Sequence, residues 1–302
     1  MRIVAALGGN ALLERGEQPD SDIAERHVIQ AVAALAPIAA AHDLIITHGN
    51  GPQVGMLALE SERDPALSHP YPFDVLGAQT QGMIGYWLVR TLRQVLPGRA
   101  AGCLICQTLV DPADPAFADP AKFVGPVYDE ATARELAARN GWSVRPDGTA
   151  WRRVVPSPEP RELIELPMIT TLVRSGAIVV CAGGGGIPVV ADGDGGRRGV
   201  EAVVDKDLTA SLLARLLRAD ALLLLTDVDA VIDGFGTTTA RPIRQATPAQ
   251  LRGRAFPSGS MGPKVEAACR FVEATGGIAA IGSLREAQAV LEGRAGTAIT
   301  PS

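Results

Sequence analysis

Ala177-Ile-Val-Val-Cys-Ala182 is an unbroken apolar, β-rich run that passes directly into Gly183-Gly-Gly-Gly186 and then Ile187-Pro188. An apolar strand followed at once by a short polar or glycine-rich loop recurs three more times. Residues 3–7 end in Gly8-Gly9-Asn10, residues 44–47 in His48-Gly49-Asn50-Gly51, and residues 221–226 in Asp227-Val228-Asp229. Two further apolar runs, 103–110 and 278–281, also read as strands. Between these runs apolar residues recur at helical spacing over about 21–42, 75–95, 129–140, 161–175, 205–218, 263–275 and 284–291. Strands that are apolar throughout, alternating with helices, predict an α/β fold. Its core is a mainly parallel open sheet sandwiched by helices.

Two stretches interrupt the alternation. From about 111 to 160 the chain is rich in Pro, Asp and Arg and holds one short helix, which predicts a protruding subdomain without a strand of the main sheet. The run Asp192-Gly-Asp-Gly-Gly-Arg-Arg-Gly199 is polar and glycine-rich, as linkers and mobile loops are. With 302 residues the chain has length for two modest domains, and we expect two lobes, 1–200 and 201–302.

Hydrophobic residues at 47% and charged residues at 20% match a globular protein rather than a disordered or fibrous one. A net charge of -5 gives no general basic surface for nucleic acid. The first seven residues run straight into Gly8-Gly9 without the longer apolar core and cleavage site of a signal peptide. No stretch reads as long enough to span a bilayer, so the expectation is a cytoplasmic protein without nucleic-acid or membrane partners. Cys103-Leu-Ile-Cys106 has redox or half-zinc spacing. It lies inside an apolar run, however, and Cys181 and Cys269 also stand in apolar contexts, so all four are read as structural thiols. The four histidines show no paired ligand spacing, and no structural metal is expected.

The strand-end loops point to phosphate. In open parallel sheets ligands bind beyond the carboxyl ends of the strands. Glycine lets backbone N–H groups approach an anion closely, and a following helix adds its dipole. The pattern is neither a Walker loop nor a dinucleotide fingerprint. Lysine usage sharpens the reading: of 28 Lys and Arg residues only Lys122, Lys206 and Lys264 are lysine. Lys206, in Val204-Asp-Lys-Asp-Leu208, and Lys264, in Ser260-Met-Gly-Pro-Lys-Val-Glu266, both stand at predicted helix starts, with Pro263 read as the first helical residue. A cation there opposes the helix dipole by about 0.3–1 kcal/mol unless an anion is bound. A compact ammonium on a flexible stem suits a moving phosphoryl group better than a planar guanidinium. Asp205 and Asp207 either orient Lys206, help hold Mg²⁺, or simply cap the helix. Asp227 and Asp229 either meet a ribose or open a turn.

Taken together these segments resemble the carbamate kinases of the amino acid kinase family. The resemblance is carried by Ala6-Leu-Gly-Gly-Asn-Ala-Leu12, Thr47-His-Gly-Asn-Gly-Pro-Gln-Val-Gly55, Gln79-Thr-Gln-Gly-Met-Ile-Gly-Tyr86, Val124-Gly-Pro126 and Arg153-Val-Val-Pro-Ser-Pro158. It continues through Cys181-Ala-Gly-Gly-Gly-Gly-Ile-Pro188, Val200-Glu-Ala-Val-Val-Asp-Lys-Asp207, Leu225-Thr-Asp-Val-Asp-Ala-Val231 and Gly259-Ser-Met-Gly-Pro-Lys-Val-Glu-Ala267. The resemblance implies reversible phosphoryl transfer between ATP and carbamate, giving ADP and carbamoyl phosphate, with Mg²⁺ on the nucleotide. It also implies a cytoplasmic homodimer joined through the N-terminal lobe and running towards ATP.

By motif, Gly8, Gly9, Asn10, Gly49, Asn50 and Gly51 would hold carbamate or the phosphoryl group. Lys122, Lys206, Lys264 and Asp207 would be catalytic. Gly183, Gly184, Gly185, Asp205, Asp227, Val228, Ser260 and Met261 would lie with ATP or ADP. The chain departs from its relatives at Ile232, where they often carry an aromatic residue, and in Gly236-Thr-Thr-Thr-Ala240, which has no lysine. Two rival readings are a kinase of another carboxylate, such as acetylglutamate, and a non-catalytic sensor of nucleotide or carbamoyl phosphate.

Overall fold

The structure is a computed structural model that describes residues 1–9, 12–13, 17–18, 20–193, 195–257 and 259–301. Among these residues the main sheet has eight strands. Their order is Gln245–Ala246, Thr297–Ile299, Ile278–Ser283, Ala221–Thr226, Arg2–Leu7, Asp43–His48, Ile178–Val180 and Ala101–Cys103. Every neighbouring pair is parallel except Ile278–Ser283 with Thr297–Ile299.

Successive side chains of Arg2–Leu7 go to opposite faces. Ile3, Ala5 and Leu7 enter one buried cluster, Val4 and Ala6 the other. Both faces are covered, which is why these strands read as apolar throughout. The helices are α1 (Ser21–Ala41), α2 (Gly51–Arg63), α3 (Phe73–Val95), α4 (Glu130–Asn140), α5 (Leu166–Arg174), α6 (Lys206–Leu216), α7 (Pro248–Arg252), α8 (Met261–Thr275) and α9 (Ala287–Leu291). α1, α3 and α9 cover one face; α5, α6 and α8 cover the other.

Several expectations are corrected. The run 103–110 is two strands, since Gln107–Leu109 leaves the main sheet for a second one with Ile187–Ala191, Glu162–Leu163 and Arg197–Gly199. The break is made by the buried Gln81 amide, whose Oε1 accepts from Cys106 N (2.8 Å) and whose Nε2 donates to Cys106 O (3.1 Å). The end of the stretch 192–199 is a strand rather than an open loop, because Arg197–Gly199 turns back antiparallel on Ile187–Ala191. The stretch 111–160 contributes no strand to the main sheet, as expected, but has an antiparallel sheet of its own, Lys122–Tyr128, Ala150–Val155 and Ser143–Asp147, which α4 joins. α8 begins at Met261, so Pro263 is its third residue, still within the turn whose N–H groups need no intrahelical partner.

α2 went unanticipated because Gly51 and Gly55 depress its helical signal. Gly55 is needed for packing, since a Cβ there would stand 3.1 Å from Gly125 Cα. By length and composition α1 is apolar enough to cross a membrane, against the expectation that no stretch is. Its Val28, Val32, Leu35 and Ile38 are buried against the sheet, as in a core helix. All four cysteines are free, and burial pushes the thiols of Cys103 and Cys269 up to about 11.

Candidate active site

The parallel register ends three strands level, with Leu7 beside both His48 and Leu225, so the loops that follow meet at one edge of the sheet. Gly8 N donates to Leu225 O (2.7 Å) and Gly49 N to Leu7 O (2.8 Å). A Cβ on Gly49 would stand 2.7 Å from Gly9 N and 3.4 Å from Lys206 Cε, so this approach of loops and lysine requires glycine. Asn10 lies outside the described residues. Gly51 opens α2, and Asn50 precedes it with its side chain turned away from the helix, donating from Nδ2 to the buried Thr80 Oγ1 (2.8 Å). Thr80 in turn donates to Gly77 O (2.8 Å), which leaves its oxygen free to accept and so fixes which end of the Asn50 amide faces it.

Gly183, Gly184 and Gly185 form a buried turn. Its carbonyls are held from three sides: Gly183 O by Gln81 (3.0 Å), and Gly185 O by Thr108 (2.8 Å) and Thr209 (3.0 Å). The amides of Gly185 and Gly186 are spent inside the turn, and its close neighbours are His48, Asn50, Thr108 and Val204. The three glycines thus pack directly against the side chains of His48 and Asn50.

The three lysines converge. Asp205 caps α6, its Oδ1 accepting from Asp207 N (2.9 Å) and Leu208 N (3.2 Å), while Oδ2 receives Lys122 Nζ (2.8 Å) from the strand Lys122–Tyr128. Asp207 is buried and takes Lys206 Nζ on one oxygen (2.5 Å) and Lys264 Nζ on the other (2.9 Å). Burial alone would raise the Asp207 carboxyl. The two ammonium groups outweigh it and hold the acid well below the usual carboxylate range. Burial lowers Lys206, with Lys264 pushing the same way against the pull of Asp207. Burial also opposes the charge on Lys264, but Asp207, then Asp205 and Asp227, raise it. The anion that makes a lysine favourable at these two helix starts is therefore supplied by the protein itself. This corrects the inference that only a bound anion would do so.

Asp227 accepts from Thr226 Oγ1 (2.9 Å) at the end of its strand, and Val228 beside it is exposed. Ser260 is the residue before α8 and makes no side-chain capping bond, Met261 opens the helix, and Lys264 follows within its first turn. Asp227, Ser260 and Met261 thus flank Lys264. The hairpin of Val231–Asp233 and Arg241–Ile243 holds Ile232, with Phe235 exposed at its tip. Sequence reading missed Thr80, Gln81, Thr108 and Thr209, which brace the loops rather than line them. It quoted Gln79 to Tyr86 only as a likeness, because buried amides and hydroxyls carry no spacing of their own. It also missed His48, which is fully enclosed, offers Nδ1 to Gly49 O (3.0 Å), and is lowered by burial to about 4.

The amino acid kinase family model matches residues 1–281. A carbamate kinase of Rhizobium meliloti is 50% identical over 305 residues, covering 100% of this chain and 94% of that protein. A carbamate kinase of Escherichia coli strain K12 is 46% identical, covering 99% of each. The solved carbamate kinase from Giardia lamblia bound to AMP-PNP superposes with a TM-score of 0.91 at 38% identity, covering 100% of this chain and 98% of that one.

Proposed function

The chain belongs to the amino acid kinase family, among its carbamate kinases, and we propose that it catalyses reversible phosphoryl transfer between ATP and carbamate. A carbamate oxygen attacks the γ-phosphorus, the bond from that phosphorus to the ADP oxygen breaks, and carbamoyl phosphate leaves. The observation that carries this reading is the convergence of all three lysines on Asp205 and Asp207 at the start of α6. Little covalent work falls to the protein in phosphoryl transfer, and positioned cations do most of it. Each ammonium has three N–H donors and spends one on an aspartate, which leaves two for phosphate oxygens.

In this reading Lys206 and Lys264 neutralise the transferring phosphoryl group, held by Asp207. Lys122 closes from the protruding subdomain. Gly8, Gly9, Gly49 and Asn50 hold the carbamate side. Asp227, Val228, Ser260 and Met261 lie along the nucleotide. Mg²⁺ does not fit Asp205 or Asp207, whose four oxygens are all engaged, so it comes as part of the nucleotide substrate, bound to its phosphates. The same reading makes residues 1–200 the carbamate lobe and 201–302 the nucleotide lobe. It also makes the protein a cytoplasmic homodimer running towards ATP.

Purified protein given Mg-ADP and carbamoyl phosphate should form ATP, read with luciferase. No ATP above the spontaneous background would overturn the proposal and leave a sensor. ATP from acetylglutamyl phosphate instead would select the rival kinase.

A further inference from the structure

A cavity of about 470 Å³ opens at the root of the protruding subdomain, walled by α2, the segment leading into α3 and the subdomain itself. None of the three lysines nor Asp207 lines it. Its depth is apolar, with Phe73, Leu76 and Val124 buried there in one small cluster.

Its polar wall is unbalanced. Both oxygens of Glu201 are engaged, one by Phe73 N (2.9 Å) and the other by Arg153 Nη2 (2.7 Å). Arg153 lies between the rings of Phe73 and Trp142, 4.7 and 4.3 Å from their centres, and among the described residues spends only that one N–H of its five. Arg139 spends one on Glu62 Oε1 (3.1 Å), and Asn140 donates to the same oxygen (3.4 Å). Among the described residues the Trp142 indole N–H and the Tyr128 hydroxyl have no hydrogen-bond partner. Burial, then Glu62, raises the Tyr128 phenol, so it stays a donor. Spare donors on Arg153, Arg139, Trp142 and Tyr128 therefore face a single open carboxylate oxygen, that of Glu62. What fits is an acceptor-rich anion with an apolar body, in a space of ordinary ligand size.

The wall also leads to the chemistry. Lys122–Tyr128 lines the cavity with Val124, Gly125, Pro126 and Tyr128 and begins at Lys122, while Arg153 pairs with Val124 on the next strand. Glu201 and Asp205, four residues apart, dock Arg153 and Lys122 respectively. An anion on the spare N–H groups of Arg153 leaves the Glu201 pair in place and adds a partner on the strand beside Lys122–Tyr128.

We propose that this cavity is a second ligand site, taking a small organic carboxylate with an apolar body, and that its occupancy bears on the strand that carries Lys122. Phenylacetate is a suitable probe, with benzyl alcohol and benzylamine as the same body without the anion. On the full chain, calorimetry should show saturable binding of phenylacetate and none of the other two. Arg139→Ala and the cavity-filling Ala58→Phe should each weaken binding at least tenfold, while Lys264→Arg leaves it unchanged. Hydrogen exchange should slow over 122–128 and 139–142 on binding. Lack of saturable binding would overturn the proposal. So would preference for the alcohol or amine, or protection confined to residues around 206 and 264, which would place the probe in the catalytic cleft. None of these measurements uses turnover, so they stand or fall apart from the kinase reading.

Discussion

Lys206 and Lys264 share one buried carboxylate, that of Asp207. Lys206→Arg or Lys264→Arg keeps the charge but puts a planar fork where an ammonium touches a single oxygen of Asp207. Turnover should fall by about 10² or more, the loss typical when one preorganised charge stabiliser is removed, while circular dichroism stays native. Unchanged kcat would remove these lysines from the chemistry. Asp207→Asn strands two buried ammonium groups and should cost about 3–5 kcal/mol in urea unfolding. A loss under 1 kcal/mol would mean the lysines find other partners.

His48 gives the pH dependence. Its folded value of about 4 lies below the ordinary 6.5, so the unfolded chain takes up the proton first as pH falls. Stability attached to His48 is intact above 6.5 and is lost between 6.5 and 4, by at most about 3.4 kcal/mol from 1.36 kcal/mol per pKa unit. Urea midpoints of wild type and His48→Gln should converge across that window, and parallel curves would show that His48 does not titrate there.

At the scale of elements, the start of α6 carries two duties on one side chain. Asp205 Oδ1 caps the helix and Oδ2 receives Lys122. Asp205→Asn should keep the cap and lose the ion pair, leaving Tm nearly unchanged while amide exchange over 122–128 quickens. Asp205→Ala should lose both, with a further cost of about 1 kcal/mol from the missing cap. Equal exchange in wild type and Asp205→Asn would show that this pair does not seat the subdomain.

The elements that periodicity revealed best were those with one simple environment, such as Ala221–Thr226, buried throughout, and α4, capped by Asp129 and closed by Gly141. Legibility failed where a tertiary partner replaced a local one. Gln81 stands in for a neighbouring strand at Cys106, Gly55 trades helical propensity for contact with Gly125, and Asp207 supplies an anion that the helix dipole argument assigned to a ligand. The lysines were legible through scarcity and, for Lys206 and Lys264, through their place at helix starts, but which carboxylates receive them depends on contacts up to 83 residues apart.

Over the whole molecule, the N-terminal strand Arg2–Leu7 lies in the interior of the eight-stranded sheet, between Asp43–His48 and Ala221–Thr226. One of its neighbours is made almost at once and the other only after more than two-thirds of the chain. During synthesis, therefore, the first strand can acquire one ladder early but must keep an unpaired apolar edge until residue 226 has cleared the ribosome. Such edges invite pairing with other chains. Nascent chains stalled before residue 221 should be held by chaperones or aggregate, whereas chains released after residue 283 should bury the edge and become protease-resistant. The same protection in both would mean that the early half closes its sheet by some other pairing. The middle of this sheet is thus among the last places to become native, although Arg2–Leu7 is made before the other seven strands.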